Sequence, residues 1–281
     1  MKTGIKALGI ALGLWLLRNA LLNLGLRGLD ALLQAWGATE ADVVRLPAWA
    51  QVCAWAAYTL TMVVGYGVPA LLGITYAGRH TQRTLALNGR GVERGLLAGL
   101  AAGAGVSVLA LVADSMRREP ALFAGAAAYV TILNAIAIAV AAVLPEIVSK
   151  RVVYDLTQNA ALSALMFMFV TSSPMSPVGS VTALLMGLAG VKLYVRRGLL
   201  TSAGMFIGWR LATGWLFAWP NASGAGVFRL YTVSDAWLFG GDRGPEAGAL
   251  VLGACALCAV FCWRTELRGA WSGLMKRMKK T

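Results

Sequence analysis

Charges embedded in apolar sequence are the first candidates for chemistry in this chain. A charge at the centre of a membrane-length apolar segment costs about 2.5 to 3.5 kcal/mol, so it is kept where it faces a cavity or a partner. Arg210 lies midway along an apolar run from 199 to 219, Glu146 caps a run from 121 to 144, and Arg18 stands toward the far end of a run from 5 to 24. Glu146 and Lys150 are four residues apart, so a continuous helix puts them on one face where they can pair. One reading is a polar cavity floored by Glu146, Lys150 and Arg210; the plainer one is that Lys150 and Arg18 snorkel to an interface. The single histidine, His80, sits in a basic loop beside Arg79 and Arg83 with no Cys, Asp or Glu nearby. Because zinc needs several such ligands, neither a metal site nor another cofactor is expected. Cys255, Cys258 and Cys262 share one helix face with the spacing of redox and metal motifs. Embedded in Ala, Leu and Val they read as small apolar packing residues, with Cys262 a weak candidate for acylation.

Helices in a bilayer must position these residues. The chain has 281 residues, of which 58% are hydrophobic and only 13% charged. About a quarter of a soluble chain is charged, so an ordinary soluble enzyme is excluded. The net charge of +13 would suit nucleic acid, but the apolar content asks for lipid first and no nucleic-acid partner is expected. Spanning the hydrocarbon takes about 20 predominantly apolar residues per helix. Eight runs fit, at 5–24, 48–75, 95–113, 121–144, 153–171, 178–194, 199–219 and 247–263. No clear small-x-small cleavage site follows the apolar stretch before Arg18, so the start reads as an uncleaved first span. The segment 26–46 reads as amphipathic and interfacial, and the Trp- and Gly-rich stretch 220–246 as an external loop. The expected fold is an all-α polytopic membrane bundle of about eight transmembrane helices, forming one integral membrane domain over 1–281.

Positive residues collect on the cytoplasmic side of membrane proteins. One set of alternate segments holds seventeen of the 25 Lys and Arg, from Lys2 and Lys6 to the run Arg264 to Lys280. The opposite loops hold Arg27, Arg45, Arg117, Arg118, Arg229 and Arg243, with eight of the twelve acids. Both termini are therefore expected in the cytoplasm, which requires an even number of spans. The tail 264–281 carries Trp271, Leu274 and Met278 at helical spacing among Arg and Lys and reads as an interfacial amphipathic helix. Most of the ten tryptophans lie toward span ends, as aromatic belts do. Gly99, Gly103 and Gly105 suit close helix contact, with an internal helix or another subunit.

The stretch YVRRGLLTSAGMFIGWRLATGWLFAWPNASG, from Tyr194 to Gly224, and the run GGDRGPEAG, from Gly240 to Gly248, resemble segments of the CAAX-processing and bacteriocin-processing (CPBP, or Abi) family of bacterial intramembrane proteases. The likeness in span layout covers nearly the whole chain, with a family-like core at about 95–263. The resemblance implies three motifs on neighbouring helices, EExxxR, FxxxH and HxxxN, whose glutamates and histidines activate water. Here the first falls on Pro145 to Lys150, with proline for the first glutamate and lysine for the arginine. The second runs from Phe167 to Thr171, with threonine for histidine. The third runs from Phe206 to Arg210, with phenylalanine for histidine and arginine for asparagine. A carboxylate and imidazoles in a shielded cavity can polarise water, whereas Phe206 can neither ligate metal nor move a proton. The surviving Glu146 is expected to be held ionised by Arg210 in a structural ion pair.

These positions lead to a non-catalytic member of that family: a scaffold, chaperone or regulatory subunit binding another integral membrane protein or a membrane-embedded peptide in a bacterial inner membrane. Two alternatives remain. One is a divergent intramembrane endopeptidase using Glu146 with Thr171 or with a residue that a partner supplies. The other is a transporter or channel subunit with Arg210 and Glu146 lining a path, for which Pro69 supplies one helix break without a convincing mate.

Overall fold

The computed structural model describes residues 2–39, 43, 45–81, 89–119, 127–171, 176–220, 226–233 and 236–278. The long helices are α1 (Lys2–Ala35), α2 (Ala48–His80) and α3 (Gly89–Val112). After strand β1 (Met116–Glu119), α4 (Ala127–Glu146) continues through a π-helical segment (Ile147–Tyr154) into the single turn α5 (Asp155–Thr157). Then come α6 (Ala160–Thr171), α7 (Pro177–Arg197) and α8 (Leu199–Leu211), the last prolonged by a π-helical turn (Ala212–Leu216). Strands β2 (Phe217–Ala218) and β3 (Phe228–Thr232), the short α9 (Ala236–Phe239) and α10 (Ala249–Met278) complete the order. The protein is thus an α-helical membrane bundle. Six of its helices are long and apolar enough to cross a bilayer among the described residues, the helix through α4 and α5 counting once. The twelve residues of α6 span about 18 Å at 1.5 Å each, short of a full hydrocarbon core.

Three segment boundaries differ from the sequence reading. The segment from 26 does not leave the first helix, because α1 runs on to Ala35 with Leu29 and Leu33 buried against Ala54 of α2. Residues 40–42 and 44 of that segment lie outside the described residues. The fourth and fifth runs do not part at the charged stretch 145–152. The helix carries through it because Glu146 and Lys150, and then Arg151 and Asp155, neutralise each other one turn apart. It breaks at Gln158, whose φ of 53° reverses the chain, and Asn159 starts α6 by accepting Leu162 N at 3.0 Å. The tail from Arg264 is the direct continuation of α10, with the side chains of 267 and 269–281 outside the described residues.

The expected external loop contributes structure of its own. β1 pairs antiparallel with β3 in the register Arg117↔Tyr231, and β2 pairs parallel with β3, giving a three-stranded sheet at one end of the bundle. Beneath it Trp219 is 1% exposed and donates its indole N–H to Ser107 Oγ at 2.9 Å, so it is a core residue and not part of an aromatic belt.

The tightest helix pair is α3 with α8. A β-carbon on Gly99 would lie 2.7 Å from Trp209 N, one on Gly208 2.8 Å from Leu100 N, and one on Gly204 2.7 Å from Val92 O. Glycine on both sides therefore lets the two backbones touch. The neighbour of Gly99 and Gly103 is this internal helix, whereas Gly105 faces open space. Around the π-helical segment, Leu14 of α1, Ala70 of α2, Leu144, Val148 and Val152, Val170 of α6 and Leu199 form one buried cluster.

Candidate functional site

Pro145 brings no backbone N–H to the helix, and the chain widens into π-helix two residues later. The widened segment is buried on almost every side, its Ser149, Lys150 and Arg151 included. Lys150 Nζ donates to Glu146 Oε1 and, at 2.7 Å, to Ser202 Oγ of α8. Ser202 Oγ in turn donates to Glu146 Oε2 at 2.5 Å, which closes a three-membered ring. Glu146, Lys150 and Ser202 are 2%, 1% and 3% exposed. Gly190 of α7 makes room for the ammonium, since a β-carbon there would stand 2.6 Å from Lys150 Nζ.

The apolar wall of this ring is aromatic. Lys150 Nζ lies 5.1 Å from the centroid of Phe167 on α6, and the Phe167 ring meets Phe206 of α8 edge-on at 5.0 Å. Thr171, one turn beyond Phe167, donates its hydroxyl to the Phe167 carbonyl at 2.7 Å. Glu146, Lys150, Phe167 and Phe206 are therefore brought together, with Pro145 one residue before the carboxylate. Arg210 is not. The expected Glu146–Arg210 ion pair is replaced by Glu146 with Lys150, while Arg210 Nη1 lies 3.4 Å from Glu246 Oε1, which Trp209 Nε1 also reaches at 2.9 Å. The reason is register: Ser202 reaches Glu146 and Lys150 and Phe206 meets Phe167, whereas Arg210 lies two turns beyond Ser202, beside Glu246.

A second buried pair lies one turn further on. Arg151 Nη1 meets Asp155 Oδ2 at 2.6 Å, and Tyr194 of α7 donates its hydroxyl to the same oxygen at 2.5 Å. Ser202, Arg151, Asp155, Tyr194 and Glu246 had no site role in the sequence reading. The four-residue spacing that singled out Glu146 and Lys150 holds equally for Arg151 and Asp155 and could have found them. Nothing local singles out Ser202.

His80 is elsewhere, at the end of α2, with its ring stacked on Tyr76 at 4.1 Å. Among the described residues no three His, Cys, Asp or Glu gather closely enough to hold a metal ion. Chemically the ring places a hydroxyl between an ammonium and a carboxylate, the groups of an activated nucleophile. The hydroxyl hydrogen goes to Glu146 and Lys150 donates to its oxygen, so the three groups satisfy one another as a polar plug joining α4 and its π-helical extension to α8. Fold and site together define a polytopic helical membrane protein whose bundle closes around a buried ionic core. Comparisons with family models, with curated proteins and with solved structures find no match for this chain.

Proposed function

We propose that the protein is a non-catalytic homologue of the CPBP intramembrane proteases, acting as a scaffold, chaperone or regulatory subunit for another membrane protein. The observation that carries the reading is the ring of Glu146, Lys150 and Ser202 walled by Phe167 and Phe206. Four of the positions that the resemblance marks, Glu146, Lys150, Phe167 and Phe206, lie together while Arg210 lies apart, and a lysine and two aromatic rings fill the space that water and a scissile peptide would need. A lysine reaches the carboxylate, and an aromatic ring stands where the family has an imidazole. The resemblance supplies the location, a bacterial cytoplasmic membrane.

The same proposal has eight crossings with both termini in the cytoplasm. Two tertiary contacts support the parity. β1 and β3 meet in one sheet, and Lys192 of α7 reaches Glu266 of α10, so an even number of crossings separates the partners of each pair. On this proposal the short α6 and α8 are the two further crossings.

The test is purification from the native membrane in mild detergent with mass spectrometry of what accompanies the chain, followed by incubation with transmembrane peptides and with a fluorophosphonate probe. The expected result is a stoichiometric integral membrane partner, intact peptides and no adduct on Ser202. A chain that comes alone and monomeric, or wild-type peptide turnover that Glu146→Ala or Ser202→Ala removes, overturns the reading and restores the endopeptidase alternative.

A further inference from the structure

The apolar spans Ala128–Thr157, Pro177–Arg197 and Ala249–Glu266 all finish close to one pocket. It has a volume of about 470 Å³ and is lined by Tyr154, Gln158 and Asn159 at the turn into α6, by Lys192 and Val195 of α7, and by Trp263 of α10. Its depth is set by its walls. Span ends and a tryptophan mark the level where hydrocarbon gives way to headgroups. Trp263 is fixed by an indole hydrogen bond to Leu188 O at 3.0 Å, and its ring faces Lys192 Nζ at 4.4 Å. Asn159 spends its side-chain oxygen on the cap of α6, so what it offers a ligand is its amide N–H groups. The exposed Arg196 follows Lys192 by one turn on α7, and the exposed Val195 supplies an apolar edge.

We propose that this pocket binds the phosphate of an anionic phospholipid, with Lys192 as its cationic anchor. The chain shows what such an anion would meet, because the Glu266 carboxylate already sits on the Lys192 ammonium. Glu266 is 46% exposed, so a headgroup phosphate arriving from the solvent side competes with it for Lys192. Basic pockets between transmembrane helices at this depth suit anionic headgroups. A soluble phosphate compound shares the phosphate chemistry, but the membrane level of the site and the apolar rim at Val195 favour the lipid. The inference does not depend on what protein partner the chain has.

Native mass spectrometry of the full chain in non-ionic detergent tests it, with titrations of dioleoyl phosphatidylglycerol, dioleoyl phosphatidylcholine and inorganic phosphate. With a net charge of +13 the chain attracts anionic lipid over much of its surface, so the variants decide. Lys192→Gln is expected to weaken the tightest phosphatidylglycerol adduct about tenfold, equivalent to one Kd decade. Lys192→Arg retains that adduct, and Glu266→Gln, which removes the competing carboxylate, strengthens it. An unchanged adduct in Lys192→Gln, or a weaker one in Glu266→Gln, overturns the proposal. Displacement of phosphatidylglycerol by millimolar inorganic phosphate overturns the lipid as ligand and assigns the pocket to a soluble phosphate.

Discussion

Lys150 has no water to fall back on, so its partners carry the energetics of the core. Breaking a buried ion pair by removing one member costs about 3 to 5 kcal/mol, because the other charge is left uncompensated. Lys150→Met is therefore expected to lower the thermal midpoint in detergent sharply, whereas the triple variant Glu146→Leu, Lys150→Met, Ser202→Ala regains most of the loss. A triple variant as unstable as the single one would show that the ring is not the source of the penalty. Gly190→Ala tests the same site from the other side, since its methyl group would stand 2.6 Å from the ammonium. It is expected to destabilise the protein although alanine is the better helix former, by about 1 kcal/mol elsewhere in a helix. Arg210 behaves differently. Its pair with Glu246 is long and its side chain 46% exposed, so Arg210→Gln is expected to cost under about 1 kcal/mol. A large loss of stability there would place Arg210 in the core after all.

At the scale of elements, the α3–α8 pair decides where the plug sits. Ser202 reaches Glu146 and Lys150, and Phe206 meets Phe167, on a helix pressed onto α3 by Gly95, Gly99 and Gly103 against Gly204 and Gly208. Gly99→Leu and Gly208→Leu are expected to abolish the monodisperse folded species in gel filtration, because each new side chain meets backbone atoms that cannot move aside. Gly105→Leu, with nothing within 4 Å, is expected to leave the elution profile unchanged. Equal damage at all three positions would contradict this face assignment. The four-residue spacing puts Gly95, Gly99 and Gly103 on one face and Gly105 on another, and the packing shows that the first face meets α8. The π-helical segment has the same lesson. Its charges look like a boundary between two spans, yet each finds its opposite one turn away, so the helix passes through them.

For the whole molecule, the proposed topology of eight crossings with both termini in the cytoplasm makes a direct prediction. Reporters fused to the N and C termini are expected to give the cytoplasmic signal at both ends, and a cysteine introduced at the exposed Tyr231 of β3 is expected to react with an impermeant maleimide from outside. Opposite signals from the two termini would remove the eight-crossing arrangement. The basic end carries the Lys192 pocket and the opposite end carries the sheet, so the two ends differ in chemistry as well as in charge.

Composition and the length of the apolar runs determined on their own that this is a multi-pass helical membrane protein, because burial in lipid requires long apolar helices whatever their neighbours are. They also marked Glu146 and Lys150, since a four-residue spacing is a property of the helix itself. What only the tertiary structure decided is which charges meet across helices. Ser202, Tyr194 and Glu246 acquire their roles from partners 36 to 56 residues away in sequence. Arg210 lost the role its position suggested because it stands two turns, about 12 Å, further along α8 than Ser202, beside Glu246. Such distances depend on glycine-mediated close approach and on a widened helical turn, both of which are properties of packed backbones and not of any one segment.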